Sequence, residues 1–151
     1  MRSRYWMGGC VLGLTAFVAS ATLFAAESGL ISWRTNYRQA YEQRTDQGLP
    51  LLVFVTAEAC PHCHRMLDVT YADRDVAREV AGGFVPALVN ASEQEELAKR
   101  FGVRIYPTTF VVGPDNRIVD RIEGYLEPEA FRLRLATATK RLASQTPAVT
   151  R

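Results

Sequence analysis

The sequence has almost no lysine. Its bases are 16 Arg and 2 Lys, and no acid precedes Glu27. With Arg2 and Arg4 set aside, 16 bases face 16 acids, so the remainder is formally neutral. That balance argues against a nucleic-acid binder driven by bulk positive charge. The arginine excess reflects genome composition rather than a binding task. Internal repeats, a phosphate-binding glycine loop, paired catalytic carboxylates and a Ser-His-Asp arrangement are all missing. Cysteine is scarce too, at three residues, Cys10, Cys60 and Cys63. What is present is an ordinary globular composition, 48% apolar and 23% charged over 151 residues. This excludes the high-charge, low-aromatic signature of disorder and provides for one domain.

The first 26 residues stand apart. Met1-Arg2-Ser3-Arg4 leads into an uncharged run from Tyr5 to Ala26 that ends in small residues, the layout of a secretory signal. Val11 to Val18 is its apolar centre, with cleavage after Ala21 or nearer Ala26. The alternative is an uncleaved membrane anchor, since about 20 apolar residues span a bilayer. Both readings place the Arg residues inside and export the remainder. Cys10 sits at the start of the apolar run rather than its end, so it does not read as a lipidation site.

Export changes the meaning of the other two cysteines. After processing, Cys60 and Cys63 form one available pair, in an oxidising compartment. A bridge across three positions closes too small a loop to stabilise much, so chemistry explains the pair better than architecture. The surrounding pattern alternates element types. Ser32 is expected to cap a helix over 33–47, ended by Gly48 and Pro50. Leu51 to Val55 is a continuous apolar run suited to a strand buried on both faces. A helix follows from Cys60 through Leu67, and Asp73 caps another to Ala81, stopped by Gly82-Gly83. Phe84 to Val89 is a second buried strand. Ser92 to Glu95 reads as a capping box opening a helix to Phe101. Strands over 108–112 and 117–123 flank the turn Gly113-Pro114-Asp115-Asn116. Pro128 starts a last helix with Phe131, Leu135, Ala138 and Leu142 on one face. The expected architecture is α/β, a mixed central sheet flanked by helices over 27–143, with 144–151 a flexible tail.

A strand followed by Cys60-Pro61-His62-Cys63, then Tyr106-Pro107-Thr108 entering a hairpin and Gly124 after its last strand, resembles the thioredoxin superfamily. The likeness spans Leu30 to Leu142. The run Leu97-Ala98-Lys99-Arg100-Phe101-Gly102-Val103 is similar to exported thioredoxin-like proteins in particular. The resemblance implies a thioredoxin fold and thiol:disulfide exchange through a redox-active Cys60–Cys63 disulfide, with no other cofactor. Pro107 resembles the family's cis-proline, bordered by Tyr106 beside the substrate groove. Gly124 would admit another backbone at close range. Tyr125, Trp33 and Tyr37 read as core or surface aromatics.

Physical chemistry supports the same roles. Cys60 at a helix N-terminus faces unpaired N–H groups that favour a thiolate, which makes it the attacking sulfur. Cys63, one turn on and deeper, is the resolving sulfur. Pro61 suits the helix start, and His62 tunes the thiolate. Two departures from the family pattern stand out. Its buried acid, six residues before the first cysteine, is here Phe54, which leaves Glu58 as the candidate proton relay through water or else a solvated surface acid. Its common Trp before that cysteine is here Ala59.

Other uses of these residues are a c-type haem site at Cys60-Pro61-His62-Cys63-His64, a Cu(I) site of Cys60, Cys63, His64 and Met66, or a redox-silent module. The reading adopted is a monomeric, exported thiol:disulfide oxidoreductase with a slight lean to reductant. An oxidase or isomerase is the alternative. Its partners are exported protein thiols or disulfides and a membrane electron-transfer protein.

Overall fold

The computed structural model describes residues 30–145. The expected signal or anchor over 1–26, Cys10 and all but the start of the expected tail lie outside them. Among the described residues, no helix is long and apolar enough to cross a membrane.

The uninterrupted apolar run after Pro50 forms β1 (Leu51–Thr56), whose first five residues are fully buried. It is the hinge of the architecture. On one side it pairs in parallel with β2 (Val85–Asn90), and on the other antiparallel with β3 (Thr108–Val112). β3 then pairs antiparallel with β4 (Ile118–Glu123), giving the order β2-β1-β3-β4. The sheet is therefore mixed, as the alternating pattern predicts.

Side-chain alternation along β1 divides the core in two. Leu52 and Phe54 face one cluster with Cys63, Met66, Val76, Val80, Phe131 and Leu135. Leu51, Val53 and Val55 face the other with Ala40, Val85, Ala87 and Phe110. Burial of each such large apolar side chain contributes about 1.5–3 kcal/mol. The first cluster is roofed by α3 (Arg74–Gly83) and α5 (Pro128–Gln145), the second by α1 (Tyr37–Gln47) and α4 (Glu95–Arg100).

Several boundaries differ from expectation, each because a tertiary contact outcompetes a local signal. The first helix begins at Tyr37 and is capped by Asn36, whose side chain accepts from the amides of Arg38 and Gln39. Ser32 is not its cap, because residues 31–34 go to the sheet instead. The Arg34 amide donates to the Pro86 carbonyl and the Leu88 amide to the Arg34 carbonyl, covering the edge of β2. Trp33 enters the aromatic cluster of Phe54 and Tyr71. The capping box at Ser92 does not form either, since α4 starts at Glu95 after Gln94, and the Ser92 hydroxyl instead accepts from the Glu58 amide. Asp73 does cap α3 as expected, accepting from Asp75 and Val76 amides. The helix then passes through both glycines, and the Phe84 amide still reaches the Val80 carbonyl. At the other end of the chain, α5 continues two residues beyond the expected domain limit of 143.

Candidate active site

Strand pairing brings the chemistry to one end of the sheet. β1 leads out of that end toward Cys60, β3 enters it after Pro107, and Glu123, opposite Thr108, leads to Gly124. Cys60 is the N-cap of α2 (Pro61–Arg65), with extended backbone and Pro61 in the first turn. Its carbonyl accepts from the Cys63 and His64 amides, at 3.0 and 3.2 Å. The Cys63 amide also lies 3.2 Å from Cys60 Sγ, so a backbone donor addresses that sulfur. The pair is joined as a disulfide, with Cα atoms 5.2 Å apart. Their surroundings differ sharply: Cys60 is half-buried at the surface, whereas Cys63 is 0% exposed within the core of Phe54 and Met66. His62 and His64 are both exposed.

At the same end of the sheet, ahead of β3, the Tyr106–Pro107 peptide is cis. Tyr106 is half-buried and packs against both cores. The Thr108 hydroxyl donates to the Ile105 carbonyl, and the Gly124 amide donates to the Pro107 carbonyl at 2.8 Å. Gly124 has φ +80, and no atom lies within 4 Å of where its Cβ would be. The left-handed backbone favours glycine there, and the space beside it is open. Ala59, just before Cys60, also has a positive φ of 49.

A family model described as Thioredoxin-like domain matches residues 37–139. The chain belongs to the thioredoxin-like domain family. It is a thiol:disulfide oxidoreductase of that family, with Cys60 and Cys63 as its redox-active pair. The comparison with curated proteins finds no match. Among solved structures, a thioredoxin from Thermus thermophilus is 27% identical, with TM-score 0.69 over 76% of this chain and 92% of that one. The DsbD C-terminal domain of Neisseria meningitidis in its oxidised form is 15% identical, with TM-score 0.62 over 71% and 99% of the respective chains. The DsbH oxidoreductase is 17% identical, with TM-score 0.63 over 88% and 95%. The last two are likenesses of fold.

Within this thioredoxin-like domain, Glu58 is exposed and its side chain has no partner among the described residues. Phe54 is fully buried in the cluster that holds Cys63. The soft-metal set does not gather: Met66 is 0% exposed in the core while His64 is exposed. Among the described residues, no three His, Cys, Asp or Glu side chains form a ligand group. The buried four-stranded sheet likewise runs against the c-type haem alternative, whose hosts are helical.

Other residues at this end of the sheet escaped sequence reasoning. Beyond Arg65 the helix widens into a π turn over Met66–Thr70, closed by the Tyr71 amide on the Met66 carbonyl. The Thr70 hydroxyl donates to the Leu126 carbonyl, and the buried Tyr71 hydroxyl bonds Thr109 at 2.8 Å. Arg65 lies over the Tyr125 ring, 4.3 Å from its centroid, and pairs with Glu127. The partners are separated by some 60 positions, so no local pattern connects them. Trp33 and Tyr37 are packing aromatics, as expected, with Tyr37 edge-on to Phe101.

Proposed function

We propose that this chain is an exported reductant of cysteine pairs in other exported proteins, with Cys60 attacking and Cys63 resolving. The contrast between the two sulfurs carries the reading: Cys60 is half-exposed and addressed by the Cys63 amide, while Cys63 is fully buried. A helix N-terminus and a backbone donor both favour the thiolate over the thiol at Cys60. That thiolate attacks one sulfur of the partner disulfide, and the other leaves as a thiolate. Cys63, deprotonated, then attacks Cys60 Sγ. This releases the second partner sulfur and leaves the Cys60–Cys63 disulfide. Two electrons have passed to the partner, so a membrane electron-transfer protein must return them.

Glu58 is the carboxylate nearest Cys60 in sequence, and it takes the Cys63 proton through water in place of the acid absent at Phe54. Tyr106, cis-Pro107 and Gly124 form the wall against which an extended partner segment lies. Likeness to a thioredoxin at 27% identity supports the reducing direction. The oxidase or isomerase reading is favoured by His62, exposed in the first turn after Cys60, because stabilising the reduced thiolate raises the potential.

The deciding measurement is the reduction potential of the couple, by equilibration in graded glutathione buffers and trapping of free thiols. A value below roughly −230 mV supports the reductant, and one above roughly −180 mV replaces it with a disulfide donor or isomerase. Absence of any reversible couple overturns both.

A further inference from the structure

We propose that Arg65 and Tyr125 recognise a carboxylate beside the partner's reactive cysteine, and that Glu127 occupies that position in the free protein. The inference rests on the exchange reaction proposed above and names its substrate class.

Arg65 is the second residue after Cys63, on the helix that carries the cysteine pair. Tyr125 follows Gly124, whose amide is bonded to the Pro107 carbonyl at 2.8 Å. The Arg65–Tyr125 contact therefore bridges the two sides of the site, helix and cis-proline wall. Thr70 fixes the far side of this bridge through the Leu126 carbonyl.

Two features show that the bridge is incomplete as it stands. The Tyr125 hydroxyl is buried yet has no hydrogen-bond partner among the described residues. A buried donor left unmade is a cost that a bound acceptor removes. Meanwhile Glu127 reaches the Arg65 guanidinium at 2.8 Å through a single oxygen, with the two side chains 58% and 56% exposed. Such an exposed pair contributes little and exchanges readily for another carboxylate. The guanidinium fork has donors to spare for one held by two bonds. A partner carboxylate that displaces Glu127 thus gains Arg65, which lies over the ring whose hydroxyl is unpaired.

The test uses the pre-reduced full chain and two disulfide peptides that differ only in Glu or Gln beside the attacked cysteine. At low ionic strength the Glu peptide is expected to react about two to five times faster, the range of an exposed ion pair. Arg65→Gln should bring the ratio to about one, Glu127→Gln should raise it, and Tyr125→Phe should lower it without lowering the melting temperature. Equal rates in the unsubstituted protein, or a ratio that survives Arg65→Gln, overturn the inference. If neither peptide is reduced at all, the reductant reading itself fails and takes the preference with it.

Discussion

Cys63 and Tyr71 show how one buried side chain sets a property that can be measured. Because Cys63 is fully buried and Cys60 half-exposed, only Cys60 meets a partner first. Cys60→Ser is therefore expected to abolish exchange, whereas Cys63→Ala should leave partners trapped on Cys60. Intact mass before and after added thiol reads the adduct, and an adduct on Cys63 in Cys60→Ser would reverse the assignment. Tyr71 is buried among Trp33, Phe54 and Phe131, and burial drives its phenol pKa far above the usual 10.0 despite the opposing hydrogen bond from Thr109. The folded state thus holds this proton more tightly than the unfolded chain. Its contribution is whole below pH 10.0 and is lost as pH rises beyond that value. The loss approaches about 1.4 kcal/mol per pH unit. Tyr71→Phe should cost about 1–3 kcal/mol at neutral pH by stranding the Thr109 hydroxyl. Its deficit should then shrink above pH 10.0, where the native phenol becomes a liability. Urea unfolding across pH checks this, and parallel stability curves for the two proteins would refute it.

Among the elements, α1 and the β3–β4 turn are held together by a residue that no sequence motif marks. Arg44, only 3% exposed, donates to the Gly113 carbonyl and the Asn116 side chain and stacks on Tyr41. Its hydrogen-bond partners are neutral, and its Nε has none among the described residues. The burial cost of the charge therefore offsets part of what the bonds contribute. Arg44→Met should consequently destabilise by about 1–3 kcal/mol, less than the two charge-assisted bonds would imply separately. A neutral result in urea unfolding would show that the turn holds itself. This contact also marks the limit of sequence reading. β1, the cysteine pair and Asp73 are legible because each signal is local: an apolar run, a spacing, a cap beside its own helix. Pro107 is legible only through the resemblance that Tyr106-Pro107-Thr108 carries. Ser32 and Ser92 mislead for the converse reason. Each is a sound cap locally, but the first lies in a segment drawn to the edge of β2 and the second turns to the Glu58 amide. Arg44, the Thr70–Leu126 bond and the Arg65–Tyr125–Glu127 cluster depend on partners remote in sequence, and no periodicity registers them.

For the whole molecule, the direction of electron flow is also a statement about stability. Oxidised and reduced forms, folded and unfolded, make a closed cycle, so the potential of the folded couple relative to the same couple in the unfolded chain equals the stability difference between the two forms. The fold acts on this cycle from two directions. Cys63 sits in an apolar core that disfavours a charged sulfur, while the Cys63 amide and the start of α2 favour a thiolate at Cys60. A reductant requires the folded domain to favour the disulfide over the dithiol. If its couple is about 60 mV more negative than that of the unfolded chain, the oxidised form is more stable by about 2.8 kcal/mol. For a domain of this size, that raises the melting temperature by roughly 10 °C. Melting the oxidised and fully reduced proteins side by side reads the sign without any partner protein. If the reduced form melts higher, stabilisation of the Cys60 thiolate outweighs the apolar surroundings of Cys63, and the domain is built to give its disulfide away.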